Sequence, residues 1–108
     1  MADKPIRLRT LAAADLEDAA IYYRDNAGEQ TALGFLDEVQ AAFKLISSGP
    51  GTGSLRCSYD LDIPGLRAFP ITRFDHAVFY VEDDDVVDVW RILHRQRDIP
   101  ATLEPPER

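Results

Sequence analysis

At 108 residues, with 45% hydrophobic and 29% charged residues, the chain has the composition of one ordinary globular domain and not of a disordered segment. Its net charge of −7 argues against tight DNA or RNA binding by the isolated chain, because phosphate neutralisation by basic residues supplies most of that affinity. No apolar run approaches the roughly 20 residues of a membrane span, MADKPIRLRT lacks the apolar centre of a signal peptide, and the single Cys57 has no internal disulfide partner, so a reducing cytoplasm is expected.

Ile6 to Thr10 alternates apolar and basic residues, the period of a half-buried strand. Thr10 is placed to cap a following helix through its hydroxyl. In LAAADLEDAAIYYRDNAG, residues Ala12, Leu16, Ala19 and Tyr23 fall at helical spacing, with acids in the early turns where the helix dipole favours them. Asn26-Ala27-Gly28 supplies a stop. A second helix is predicted from about Glu29 to Ser48, with Ala32, Leu36, Val39, Phe43 and Ile46 on one stripe. The short glycine-containing connection favours an antiparallel helical hairpin. Gly34, inside the second helix, costs about 1 kcal/mol relative to Ala, and close packing against the first helix would explain it.

Residues 47–64 are rich in Gly, Ser and Pro at the start and read as a surface loop. Strands follow. Leu66–Ile71 contains Pro70, which assigns it to an edge or a strand end. Ala77–Val81 is apolar throughout and reads as a central strand. Glu82–Asp85 reads as a solvated hairpin turn, poorly arranged to form a metal cage, and Val86–Leu93 is rich in β-branched residues. The tail from Ile99 to Arg108 holds three prolines and reads as extended or disordered.

The stretch 66–98 carries five of the twelve basic residues (Arg67, Arg73, Arg91, Arg95 and Arg97) and both histidines, in a chain that is otherwise acidic. Alternating with apolar neighbours, Arg91 is expected to pair with an acid such as Asp88 or one on the helices. His76 and His94 read as hydrogen-bonding structural groups, Trp90 as core filling, and Cys57, with no evident His and Asn/Asp partners, as inert. Arg95 and Arg97, at a strand end, are the better candidates for contact with a partner.

The run Ala14-Asp15-Leu16, then Tyr22-Tyr23, Ile63-Pro64-Gly65-Leu66-Arg67, Phe79-Tyr80-Val81 and Arg91-Ile92-Leu93-His94-Arg95-Gln96-Arg97-Asp98 resembles the ParE branch of the RelE/ParE toxin superfamily over nearly the whole chain. The resemblance implies the toxin of a type II toxin–antitoxin system, held inactive by a cognate ParD-like antitoxin. In ParE-like members the implied target is DNA gyrase. In RelE-like members it is ribosome-bound mRNA, which the toxin cuts using several Lys or Arg residues, often with a Tyr or His. Here that set is incomplete. Arg67 is basic where expected, but Phe69 and His76 stand at two further basic positions, Gln96 or Arg97 falls near another, and no tyrosine follows Tyr80.

The expected architecture is therefore a single α+β domain over residues 1–98, with a tail at 99–108. A helical hairpin packs on a mainly antiparallel sheet in the order β-α-α-β-β-β. The expected function is gyrase inhibition by binding, with no catalytic residue, metal or cofactor, and with Arg91, Arg95 and Arg97 as target-binding candidates. The hairpin also has more apolar residues than one core stripe needs, so Ile21, Tyr22, Phe35 and Leu45 are candidates for a groove that accepts an amphipathic antitoxin segment. The alternatives are a ribosome-dependent mRNA endonuclease and a degenerate, non-toxic member of the same fold.

Overall fold

Alternation at the N-terminus produces strand β1 (Ile6–Leu8), and the chain then turns directly into helix α1 (Thr10–Ala27). The structure, a computed structural model, describes residues 3–95, apart from the side chain of Cys57. Thr10 does not cap α1. It is the first helical residue, and Arg9 takes the cap position with no side-chain hydrogen bond. The strand leaves no room for a free turn, because the Arg9 N–H is still bonded to Val89 O at 3.0 Å while Arg9 O already accepts from Ala13.

Gly28 ends α1 and opens α2 (Glu29–Ser48) in a single residue at φ 97°. A side chain is disfavoured at that φ, so glycine is what permits so short a connection. The core stripe of α2 runs through Ala32, Phe35, Val39, Ala42 and Ile46. The expected stripe is correct at Ala32, Val39 and Ile46 and wrong at Leu36, which is 37% exposed. Two patterns three and four residues apart overlap in this helix, and the sheet selects the one containing Phe35. Gly34 has no packing role, since a methyl group there would meet nothing within 4 Å.

The segment expected as a loop is more ordered. After a 3₁₀ turn at Pro50–Thr52 it forms a short helix, α3 (Arg56–Leu61), which Asp62 ends in the left-handed conformation. Strands β2 (Arg67–Pro70), β3 (His76–Glu82) and β4 (Val87–His94) complete a sheet in the order β1-β4-β3-β2. All pairs are antiparallel except β1 with β4. Pro70 does lie on an edge strand and β3 is central, as the sequence implies. The fold is the expected α+β arrangement.

Both faces of the sheet are covered. On one, Val78, Tyr80, Val87, Val89 and Ile92 meet Ala12, Ala19, Phe35, Val39 and Ile46 of the hairpin. On the other, Ala77, Phe79 and Leu93 meet Ile63 and Leu66, the residues that follow α3. Small residues at 12 and 19 bring α1 close to the sheet. Burying a large apolar side chain in such a core contributes about 1.5–3 kcal/mol, and Leu61 at the end of α3 packs against this second cluster, tying the helix to the sheet.

Candidate functional site

A bulge interrupts β4. Phe79 faces Arg91 and Tyr80 faces Val89, so Trp90 is the extra residue. Trp90 turns towards the α3 side, where it packs beside Phe79 and Leu93. Its indole N–H is buried without a hydrogen-bond partner, and the Arg9 guanidinium lies 5.4 Å from the ring centre. Core filling is thus the role of most of this side chain, with a cation above it.

Next to the bulge, the Arg91 guanidinium donates twice to Asp15 on α1, at 2.7 and 2.9 Å. Asp15 also accepts the Ile92 backbone N–H at 3.1 Å. One carboxylate therefore satisfies both a guanidinium and a strand amide beyond the end of β1. This fork-to-fork geometry is the strong form of a charge-assisted hydrogen bond. Of the two partners open to Arg91 in the sequence, the helical acid is the one used.

Asp88 has a different set of partners. It is 3% exposed and accepts from Arg9 at 2.6 Å, with Arg7 at 3.4 Å. Burial pushes its carboxyl pKa up, but hydrogen bonding and charge from Arg9 and then Arg7 outweigh that and hold it below the usual carboxylate range. The acidic turn is exposed, as expected, but two of its residues also have cationic partners. Lys4 donates to Glu82 and to the Asp83 carbonyl, both at 2.7 Å, and Arg7 lies 3.6 Å from Asp83. Lys4, ahead of β1, and Arg7 of β1 thus compensate acids of the β3–β4 hairpin.

Arg67 faces Tyr80 across the β2–β3 pair. Its guanidinium donates to the carbonyls of Gly51 and Gly53 at 3.2 and 2.7 Å. Tyr80 donates to Pro50 O at 2.7 Å and accepts from the Gly53 N–H at 2.9 Å. Its phenol pKa is raised by burial, against a smaller lowering from the Gly53 hydrogen bond. A methyl group on Gly53 would lie 2.6 Å from the Tyr80 hydroxyl and 3.0 Å from Arg67 Cβ. Glycine is required there by this close approach and not by its dihedral angles.

At the other end of the sheet His76 pairs with His94 across β3 and β4. His76 is buried, and its Nδ1 is hydrogen-bonded to the Tyr23 hydroxyl at 3.0 Å. The Tyr23 ring also contacts Phe35 and Phe74, each 4.9 Å away between centroids. The two histidine rings meet edge to face at 5.5 Å. Both histidines therefore sit among structural partners. Arg95, just beyond β4, has an exposed side chain, and its backbone N–H donates to Asp75 O at 2.8 Å. Arg97, Gln96, Asp98 and the tail lie outside the described residues.

The candidate groove residues divide. Ile21, Tyr22 and Leu45 are exposed on the hairpin. Phe35 is not: its exposure is 0%, and it lies in the core between the helices and the sheet. Its assignment to a binding groove is therefore wrong, because the sequence pattern leaves the rotation of α2 ambiguous by one residue. Leu11 and Leu33 are exposed hairpin residues that sequence reading did not single out, and Leu36, expected in the core stripe, is exposed as well. Six of the seven exposed large hydrophobic residues among those described lie on this hairpin. Between its helices runs a groove of about 510 Å³ lined by Ala13, Ala14, Leu16, Glu17, Ala20 and Leu36. Among the described residues no group of three or more potential metal ligands converges, and no helix is long and apolar enough to cross a membrane.

Comparison with known proteins agrees with this geometry. Residues 6–99 match the family model for the ParE toxin of the type II toxin–antitoxin system parDE. The chain is 32% identical over 104 residues to Toxin ParE1 of Caulobacter vibrioides, an alignment covering 93% of this chain and 98% of that one. A solved structure of a chromosomal ParDE toxin–antitoxin system from P. aeruginosa superposes with a TM-score of 0.71 at 21% identity, covering 84% of this chain and 95% of the other, which supports the shared fold. The chain belongs to the ParE toxin family of type II toxin–antitoxin systems.

Proposed function

We propose that this ParE-family toxin inhibits DNA gyrase by binding it, performs no covalent chemistry of its own, and is neutralised in the cytoplasm by a cognate ParD-like antitoxin. The observation that carries the reading is the engagement of the sheet's arginines. An RNA-cleaving site needs cations that converge on a phosphate and groups that exchange protons with the 2′-hydroxyl and the leaving oxygen. Arg67 is instead held by two backbone carbonyls and Arg91 by Asp15, while Phe69 and His76 stand at two further basic positions. Arg91 fixes the strand that presents the exposed Arg95, and Arg95, Arg97 and the tail form the target-binding region of this proposal.

The neutralising surface is the outer side of the hairpin, with Ile21, Tyr22 and Leu45 as contact residues and Phe35 removed from the set. An exposed apolar surface of this kind is an aggregation liability unless a partner covers it, and an amphipathic helix laid into a groove is the recurrent solution. The P. aeruginosa structure similar in fold is described as a ParDE system, which supports a partner of ParD type.

Induction of the chain without its antitoxin tests the proposal, reading growth, the DNA-damage response and translation together. Gyrase inhibition predicts arrested growth with a DNA-damage response while translation continues. Early loss of translation with supercoiling intact would assign the chain to mRNA cleavage instead. Normal growth at confirmed soluble expression would overturn toxicity.

A further inference from the structure

Two non-glycine residues among those described have positive φ, Asp62 at 55° and Arg73 at 70°. Asp62 ends α3, and its short polar side chain is one of the few that tolerate left-handed backbone. An arginine has no such tolerance. Arg73 stands in the link between β2 and β3, where the Phe74 N–H bonds to Ile71 O at 3.1 Å and closes a four-residue turn. It is the third residue of that turn, the position at which a type II turn takes Gly or Asn. The turn is pinned on both sides. Ile71 is buried, and the Phe74 ring packs on Tyr23 and Phe35 at 4.9 and 5.2 Å between centroids. Arg73 therefore projects from a fixed base, with its side chain 73% exposed. Its contact with Glu38 of α2, at 3.1 Å, is an ion pair open to solvent and contributes less than left-handed backbone costs a bulky residue. Folding alone thus favours glycine at this position.

Backbone strain that folding does not repay marks a position with another task, and the surroundings indicate which. β2 ends at Pro70, β3 begins at His76 and β4 ends at His94, all at one end of the sheet. The Arg95 N–H bonds to Asp75 O at 2.8 Å, so the Arg73 turn and the exposed Arg95 lie side by side there. We propose that Arg73 is a further target contact of the toxin, presented beside Arg95 to a carboxylate-bearing surface of the gyrase protein. The proposal rests on the gyrase reading above and adds a residue that the arginine run at the end of β4 does not contain. A guanidinium matches a carboxylate as a two-point fork, and a pinned turn loses little freedom when the fork is engaged. Glu38 already offers Arg73 a carboxylate, and a carboxylate of the target takes its place. Nucleic-acid phosphate is the poorer match, because a chain of net charge −7 repels it.

Inhibition of supercoiling by purified gyrase, read as the concentration of chain that gives half-inhibition, tests the contact. Arg73→Gly and Arg73→Asn both suit the turn. They should unfold at the wild-type temperature or above it, and raise the half-inhibiting concentration about tenfold. Glu38→Gln releases the guanidinium and should inhibit at least as strongly as the wild type. Arg56→Ala, at an arginine 87% exposed on α3, should change nothing. Undiminished inhibition by folded Arg73→Gly overturns the contact. An equal loss in Glu38→Gln would reduce Arg73 to half of a structural pair, and an equal loss in Arg56→Ala would reduce it to bulk charge; either overturns the proposal. Failure of both Arg73 variants to fold would show that the turn needs the arginine itself, with the same consequence. Binding of relaxed plasmid by the chain without gyrase, lost in Arg73→Gly, would assign the arginine to phosphate and overturn the carboxylate partner. A wild-type chain that leaves gyrase active defeats the gyrase reading itself, and this contact with it.

Discussion

On the sheet, Arg67 donates to Gly51 and Gly53 and Arg91 donates to Asp15, whereas on the hairpin Leu11, Leu33 and Leu45 are each more than half exposed. The residues that looked functional in the sequence, cations clustered in an acidic chain, are largely engaged in holding the fold. Leucines of the hairpin, of which only Leu45 stood out in the sequence as a surface candidate, are left without cover. A guanidinium has five donors and finds carbonyls or carboxylates wherever chain segments meet, so an arginine cluster reports on backbone geometry as readily as on a ligand. A leucine side chain has no such alternative. Left exposed in a group, it marks a surface awaiting a partner.

Substitutions on the two regions should therefore separate cleanly. The largest effect is expected from Phe35→Ala, which opens a cavity under the sheet and should cost about 3–5 kcal/mol in denaturant unfolding. Leu45→Ser, one of the original groove candidates that is exposed, should change stability by less than about 0.5 kcal/mol while weakening antitoxin binding in titration calorimetry. Equal stability losses at both positions would erase the distinction between core and docking surface.

Next in size is Asp15→Ala. It leaves the half-buried Arg91 guanidinium and the Ile92 N–H without their carboxylate, so a loss of about 1–3 kcal/mol is expected. Asp15→Asn, which can still accept one of these hydrogen bonds, should lose less. Gyrase inhibition that falls for both variants only in proportion to the folded fraction would identify the pair as structural. A loss of inhibition in a fully folded Asp15→Asn would instead bring Arg91 into the target-binding surface.

Acid should loosen the β1 side of the sheet through Asp88. Its folded pKa is depressed below 3.8, so the pairing with Arg9 contributes stability above that value and the contribution is lost as pH falls through the folded pKa. Asp88→Asn should cost about 1 kcal/mol at neutral pH and flatten the decline in stability below about pH 4, measured by thermal unfolding across pH. The smallest effect concerns Gly34. With no neighbour within 4 Å of an added methyl group, Gly34→Ala should raise stability by up to about 1 kcal/mol.

The fold was largely legible because its elements are strongly patterned. Alternation identified β1, the helical stripes identified α1 and α2, and Pro70 placed β2 on an edge. Four features were not. Phe35 and Leu36 are adjacent and both apolar, and only the sheet decides which of them turns inward. Helix α3 hides behind a Gly- and Ser-rich approach, and its Leu61 packs on a second cluster around Ile63 and Leu66 that only the folded sheet creates. The role of Asp15 depends on a carboxylate reaching across 76 residues of sequence to Arg91, which no local pattern encodes. Its place in the resemblance to ParE sequences was the one available signal. The pairing of Lys4 and Arg7 with the acidic turn was likewise non-local, and the sequence reads that turn as simply solvated.

The most direct test of the central claim is a supercoiling assay with purified DNA gyrase, relaxed plasmid and this chain, with and without its antitoxin. Binding inhibition predicts loss of supercoiling as the chain is titrated in, and recovery when the antitoxin is added in equal amount. Undiminished supercoiling by correctly folded protein in excess over gyrase would contradict the account.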